Sequence, residues 1–170
     1  MKNLTSLAAL PLMAAAASAL TLDVNVGASS PSGYDANSIA GVGIGTQLNN
    51  EFHLGLNLSS HNLVNTTTLV DGTARAATID LTYELNSSTG GIRPFIGAGI
   101  GNVWFSDASF DTKNAMITNI FVGIAFRLSD SVDVILTERN SEIYNVREAG
   151  VTDAKSINSW DTTVSLRFKF

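Results

Sequence analysis

The sequence has no cysteine, few charged residues and no long hydrophobic run. Without cysteine there is no disulfide framework, no thiol chemistry and no lipid-modified cysteine anchor. Beyond the N-terminus no segment approaches roughly eighteen consecutive apolar residues, so no transmembrane helix is predicted. Hydrophobic residues nevertheless make up 45% of the chain and charged residues only 15%. A membrane-spanning helix therefore does not explain the high hydrophobic content of the chain.

Positive charge is also scarce. Ten Lys and Arg residues stand against fifteen Asp and Glu, a formal net charge of −5. Because nucleic-acid binding relies on clustered cations, this composition argues against a nucleic-acid partner. The two histidines, His53 and His61, are isolated and have no cysteine beside them. We therefore predict no transition-metal site, and nothing in the sequence calls for a cofactor.

Residues 1–19 have the features of a secretory signal peptide. One early cation, Lys2, precedes an apolar run from Leu7 to Ala17, and the segment ends in the small-x-small pattern Ala17-Ser18-Ala19. The apolar run is too short for a spanning helix and has no basic stop after it. We expect the exported chain to begin at Leu20 and residues 20–170 to form one domain.

The C-terminal stretch alternates with a strict period of two. One set is apolar with aromatic ends: Trp160, Thr162, Val164, Leu166, Phe168 and Phe170. The other set is polar or charged: Asp161, Thr163, Ser165, Arg167 and Lys169. This pattern predicts a β-strand with a different environment on each face. A strand of about ten residues with an apolar outer face matches the hydrocarbon thickness of an outer membrane.

Seven earlier segments alternate in the same way, although Ile135 interrupts the polar face of the seventh. With the C-terminal strand, the predicted strands cover 20–28, 37–47, 52–59, 74–85, 93–105, 115–128, 132–139 and 160–170. The connections alternate between long and short, and the long ones cover 29–36, 60–73, 106–114 and 140–156. An even number of strands places all long loops at one end. The predicted fold is all-β, an eight-stranded antiparallel transmembrane up-and-down β-barrel.

The alternative is a soluble barrel or sandwich, which also alternates polar and apolar faces. Glycine is frequent on the polar faces of strands two and five, which suits the crowded inner wall of a narrow barrel. Aromatic residues on the apolar faces fall at both strand ends: Trp104 and Trp160 at one, Phe52, Tyr83 and Phe126 at the other. Two such girdles are typical of a bilayer-spanning barrel.

Two stretches resemble a known family. Residues 93–105 read R-P-F-I-G-A-G-I-G-N-V-W-F, and the chain ends S-L-R-F-K-F at Phe170. They resemble the Pro-aromatic-x-Gly-x-Gly strand and the terminal strand of the outer membrane protein β-barrel domain, the family of small eight-stranded barrels that includes the OmpA transmembrane domain, OmpX, the opacity-type proteins and OmpW. The resemblance implies a location in the outer membrane of a Gram-negative cell envelope. It implies no single activity, because the family's roles range from adhesion to small-solute passage.

The predicted inward faces carry nine charged residues: Asp23, Asp80, Glu84, Arg127, Asp133, Arg139, Asp161, Arg167 and Lys169. Eight strands enclose little space, so these groups must pair or stay hydrated. We expect Arg127 to lie beside Asp133, and Asp23 to meet Lys169 where the barrel closes. We interpret the set as a structural network that fills the barrel. A narrow, porin-like channel for small solutes is the alternative.

An enzymatic role is less favoured. Some barrels of this kind modify lipid A, and one deacylase family uses a His-x-Ser pair on a late strand, whereas residues 137–142 here read T-E-R-N-S-E without histidine. A Ser-His-acid set using His61, which lies beside Ser59 and Ser60, and Asp71 is conceivable, but a histidine in a polar loop is usually only solvated. We therefore predict a non-enzymatic monomer whose partners are lipid, lipopolysaccharide and the insertion machinery. Its four long loops are the candidate surface for an extracellular ligand.

The terminal aromatic residues generate a test of assembly. The family resemblance implies that Phe168 and Phe170 belong to the signal read by the outer-membrane insertion machinery. Deleting Phe170, or replacing it with Ala, should slow insertion and raise periplasmic degradation, because the signal would be incomplete. The folded barrel itself would lose only one exposed side chain at its rim. The measurement is the amount of heat-modifiable protein in the outer-membrane fraction. Unchanged levels in a strain with normal proteases would contradict a targeting role.

Overall fold

A computed structural model describes residues 19–64, 71–85, 91–106 and 110–170. Apart from Ala19, the predicted signal peptide lies outside this part of the chain. Eight strands are present: β1 (Leu20–Pro31), β2 (Asn37–Gln47), β3 (Phe52–Val64), β4 (Asp71–Glu84), β5 (Ile92–Phe105), β6 (Asn114–Arg127), β7 (Val132–Val146) and β8 (Lys155–Lys169).

Each strand pairs antiparallel with the next, and β1 pairs with β8 to close the sheet. At the closure Leu22 is opposite Phe168, and the Phe170 amide donates to the Leu20 carbonyl over 3.0 Å. Closure gives every strand two neighbours and leaves no unpaired edge. The predicted eight-stranded antiparallel barrel is confirmed. We call the end with the two termini the turn end and the opposite end the loop end.

The outer wall carries a belt of exposed aliphatic side chains. It includes Val24, Val26, Val42, Ile44, Leu58, Ile79, Leu81, Ile96, Ile100, Ile120, Val122, Leu136, Val164 and Leu166. Exposed Trp104 and Trp160 lie towards the loop end. Half-buried Phe52 and Tyr83 lie at the turn end with their ring centroids 5.0 Å apart. Exposed Phe126 lies at the same end. In the described residues no helix is long and apolar enough to cross a membrane.

Six strands extend further towards the loop end than the sequence predicted. β3 continues to Val64, β7 continues to Val146 and β8 begins at Lys155, so the predicted loops 60–73 and 140–156 are wrong in extent. The pairing of β7 with β8 shifts register between Ile143 and Val146, where Asn145 has a φ of 57°. The strands therefore rise beyond the apolar belt while remaining hydrogen-bonded.

The alternation reverses its sense along these extensions. In β7 the outward residues change from apolar Leu136 to polar Glu138 and Glu142, while the inward residues change from Asp133 to Ile143. A polar outer face and an apolar inner face are expected where a barrel leaves the membrane and is surrounded by water. The polar outward residues made these stretches look like loops in the sequence.

The interior is layered along the barrel axis. From the turn end to the loop end, the inward residues of β4 are Glu84, Thr82, Asp80, Thr78, Ala76 and Ala74. Charged groups thus occupy the turn end, charged and neutral polar groups share the middle, and apolar groups occupy the loop end. The apolar residues form one buried cluster, the apolar plug: Tyr34, Leu63, Ala74, Ala76, Val103, Phe105, Phe110, Ala115, Ile117, Ile143, Val146 and Ile157.

Glycine makes room for large side chains inside this narrow barrel. A Cβ at Gly97 would overlap the Phe121 ring, whereas a Cβ at Gly55 would have its nearest neighbour at 3.6 Å, on His53. Gly97→Ala should therefore lower the free energy of unfolding by about 1–3 kcal/mol. Gly55→Ala, also on an inward face, should change it by less than about 0.5 kcal/mol. Urea unfolding in detergent measures the free energy of unfolding of both variants. Equal effects would show that the packing of Phe121 does not depend on the space left by Gly97.

Candidate functional site in the barrel interior

The turn-end layer is built from charged side chains on five strands. Arg167 of β8 binds Asp23 of β1 through two hydrogen bonds of 2.8 and 2.9 Å. A third Arg167 nitrogen lies 3.5 Å from Glu84, and Glu84 also accepts from Arg93 Nε over 3.0 Å. The bidentate geometry suits the planar guanidinium group and fixes its orientation.

Asp133 completes this layer. Its carboxylate is 1% exposed and contacts Arg93 through one oxygen and Lys169 Nζ through the other, the latter at 2.9 Å. The continuous series Asp23–Arg167–Glu84–Arg93–Asp133–Lys169 is the ion-pair chain. Its three carboxylates and three cations balance, so a large cost of burying each charge is offset by direct pairing.

One predicted pairing is wrong, and the other is confirmed as a pair of cross-strand neighbours that form no ion pair. Lys169 contacts Asp133 and not Asp23, which binds Arg167. Arg127 is opposite Asp133 in register, but its side chain is exposed and forms no ion pair with any described residue. Arg127 is the last residue of β6, so its side chain can remain hydrated at the rim. Burying the Arg127 side chain there would cost the hydration free energy of its charge without a compensating ion pair.

Arg93 takes the place that the sequence analysis assigned to Arg127. It lies at the start of β5, one residue before Pro94, and was omitted from the predicted network. Its position two residues before inward Phe95 was the available signal, because alternate residues share a face. The partner Asp133 comes from β7, and no local pattern in β5 indicates that contact.

The middle layer holds Asp80, Arg139 and Asp161. Arg139 donates to Asp80 Oδ2 over 2.8 Å, and its guanidinium carbon lies 4.5 Å from the centroid of the Phe121 ring. Asp161 is 1% exposed and accepts from Ser29 over 2.5 Å and from Ser159 over 2.8 Å. Among the described residues it has no ion-pair partner. A polar cavity of about 100 Å³ lies in this layer and has both aspartates in its wall.

His61 lies inside the barrel and not in an exposed loop. It belongs to β3, and its ring nitrogens contact the hydroxyls of Ser59 at 3.1 Å and Ser29 at 3.4 Å. The predicted proximity of Ser59 and His61 is therefore present. Asp71, the third member of the conceivable triad, begins β4, and only its backbone is described. Ser29 connects this histidine to Asp161.

His53 also faces the interior, nearer the turn end. It is buried, and its Nε2 atom lies 2.9 Å from the Thr21 hydroxyl. Its observed partner is neutral, and this contact joins β3 to β1 across the inner face of the intervening strand β2.

Aromatic members of the apolar plug and the charged side chains beside them cover the loop end. Phe110 stacks on Phe105 with a centroid distance of 4.5 Å and also contacts Tyr34. The Tyr34 hydroxyl donates to Glu148 over 2.6 Å, and Lys155 pairs with Glu148 at 2.8 Å. Burial, together with the adjacent Glu148 carboxylate, raises the pKa of the Tyr34 hydroxyl above its usual range. Tyr34 therefore remains a neutral donor.

Asp133 provides a test of the ion-pair chain. Asp133→Asn leaves Arg93 and Lys169 without their shared carboxylate, so we expect a loss of about 3–5 kcal/mol in the free energy of unfolding. Adding Lys169→Met should restore part of that loss, because one unpaired cation is removed. Asp153→Asn, at an exposed loop position, is the control. Additive effects of the two interior substitutions in urea unfolding would contradict the pairing.

Several solved structures share this fold, and they include outer-membrane proteins. Neisserial surface protein A has a TM-score of 0.70 and 15% identity, covering 89% of this chain and 96% of its own. The N-terminal barrel domain of Pseudomonas aeruginosa OprF has a TM-score of 0.60 and 15% identity, covering 89% and 97%. The outer membrane enzyme PagL has a TM-score of 0.56 and 17% identity, covering 85% and 97%.

Sequence comparisons give no match. No protein-family model matches the chain, and no curated protein matches it. Similarity at these identities concerns the backbone architecture, and one architecture serves many activities. The structural comparisons therefore agree with the resemblance drawn from residues 93–105 and from the C-terminal strand. The chain has the fold of the small eight-stranded outer-membrane β-barrels.

Proposed function

We propose that this protein is an integral outer-membrane barrel that is closed to solutes and displays a compact surface outside the cell. One observation carries the proposal: two different barriers lie in series inside the barrel. The ion-pair chain fills the turn end, and the apolar plug fills the loop end. A solute would have to break paired charges and then cross a layer that offers it no hydrogen bonds.

The exposed aliphatic belt supports the membrane location. A soluble protein rarely leaves so continuous an apolar surface in water, whereas hydrocarbon accepts it without cost. The short 128–131 turn, the start of β1 and the end of β8 lie at the turn end, which we assign to the periplasm. The strand extensions with polar outer faces lie at the loop end, which we assign to the cell exterior. Export through a cleaved signal peptide, residues 1–19, is part of this proposal.

The loop end is suited to an interaction or adhesion role. Its connections are joined by backbone bonds between strands distant in sequence: the Asp35 amide donates to Val64, and the Asp111 amide donates to Arg147. Val151 is exposed at this end. A surface ordered before binding loses less conformational entropy when a partner arrives. We expect the partner to be an extracellular molecule or the lipopolysaccharide around the rim.

A catalytic role has less support from the geometry. His61 and Ser59 lie inside the barrel beneath the apolar plug, where a lipid of the surrounding bilayer does not reach. A nucleophile–base pair needs access to its substrate as well as the correct distance. We therefore propose a non-enzymatic protein, and a small-solute channel remains the second candidate because the middle layer contains a polar cavity.

Conductance in planar bilayers tests the closed barrel. The wild-type protein should show no steady current, since both barriers are intact. Arg139→Ala widens only the middle layer, so it should remain silent while the apolar plug is in place. Heat-modifiable mobility on unboiled gels establishes that each sample is folded, and a known open porin in the same bilayer establishes that the assay responds. Large, steady, salt-dependent wild-type currents would favour the channel.

A further inference from the structure

The polar cavity in the middle of the barrel has more acceptor atoms than the protein satisfies. Among the described residues, six buried side-chain atoms have no hydrogen-bond partner, and five of them belong to residues in the wall of this cavity. They are Asn57 Oδ1, Asp80 Oδ1, Asp161 Oδ2 and both amide atoms of Asn119. Buried polar atoms are nearly always paired with protein or ordered water, so this concentration in one place indicates that water or a bound ligand supplies the missing contacts.

Two of these side chains converge on one point of the wall. A Cβ at Gly99 would overlap Asp80 Oδ1 and would lie 2.9 Å from Asn119 Oδ1. Because Gly99 has no side chain, the carboxylate and the carboxamide can both occupy this space. Asp80 is 7% and Asn119 4% exposed, so bulk water does not readily satisfy either of them. Their oxygens are held close together by strands β4 and β6.

The charges inside the barrel do not balance. The inward carboxylates are those of Asp23, Asp80, Glu84, Asp133 and Asp161, and the inward cations are Arg93, Arg139, Arg167 and Lys169. Every member except Asp161 takes part in an ion pair. Ser29 and Ser159 both donate to one oxygen of Asp161, and the other oxygen has no partner. With neutral histidines, the interior is therefore one positive charge short.

We propose that the cavity binds one partly hydrated monovalent cation, with Asp161 Oδ2 as its charged ligand. Carboxylate and carboxamide oxygens are hard donors, which favour alkali and alkaline-earth ions over transition metals. One uncompensated carboxylate balances a single positive charge, so Na⁺ fits better than Ca²⁺. In the described part of the chain, no three His, Cys, Asp or Glu side chains are grouped closely enough to hold a metal by themselves.

The cavity volume agrees with a hydrated ion. About 100 Å³ accommodates a small cation together with a few water molecules, which can reach the other unpaired wall atoms. Asn57 and Asn119 would then contact the ion or its water shell. A bound cation would also hold β3, β4, β6 and β8 together at mid-height, between the ion-pair chain and the apolar plug.

Cation-dependent stability is the test. Folded protein in a neutral detergent is heated at pH 8, where an ordinary imidazole is uncharged, in NaCl or in choline chloride at the same ionic strength. Binding to the folded state alone should raise the unfolding midpoint in NaCl by about 4 °C. The rise should saturate as choline is replaced by Na⁺, and ²³Na relaxation should report the bound ion. Both measurements use the wild-type protein.

Variants identify the site. Asp161→Asn preserves shape and removes the charge, so the difference between the two salts should disappear; the exposed Asp153→Asn control should retain it. If Asp161→Asn does not fold, Asn119→Leu replaces it as the test variant, because that change loses no hydrogen bond within the protein. Asn119→Leu should at least halve the difference in unfolding midpoint between NaCl and choline chloride. A wild-type midpoint that is equal in both salts, with unperturbed ²³Na relaxation, would overturn the proposal in favour of water or a protonated Asp161. A full salt difference in Asp161→Asn would also overturn it.

Discussion

The closure of a narrow sheet is the constraint on which the rest of this structure depends. Eight strands satisfy each other's backbone groups in a ring, and the ring directs every second side chain into a space that those side chains must fill. Large inward residues such as Phe95 and Phe121 are accommodated only because Gly123 and Gly97 leave room opposite them. A polar group on an inward face has no route to bulk water except along the barrel, so it needs a partner inside.

The layers of the interior follow from that need for partners. Near the turn end, three carboxylates and three cations are close enough to neutralise each other, and Asp133 can be almost fully buried because two cations share it. At the loop end, the outer wall is polar, so the hydrophobic driving force acts on the inner face and collects Val103, Ile143 and Ile157 there. The middle layer has neither full pairing nor an apolar filling, which is why the unsatisfied atoms are concentrated in it.

The same scaffold carries different roles in the proteins that share it, including a surface protein and an enzyme. Ser59 and His61 have the chemistry of a catalytic pair, but the barrel directs them inward beneath the plug. In the described part of the loop end, Tyr34 joins separate connections through its contacts with Phe110 and Glu148. These features support a closed barrel that acts through its outer surface.

The period of two in the sequence was sufficient to predict the strand number, the antiparallel closed barrel and the outward girdle, because side-chain direction in a strand depends only on local geometry. It also placed most of the interior charges on the correct face. The strand extensions were missed, since beyond the belt polar residues face outward and imitate a loop, as Glu142 and Asn158 do. The choice of partners was decided by the tertiary structure alone: Asp133 binds Arg93 from β5, Asp23 binds Arg167, and Leu63 and Phe110 join the plug. Those contacts depend on the stagger between neighbouring strands and on distances across the barrel, and neither quantity is encoded in the alternation of any single segment.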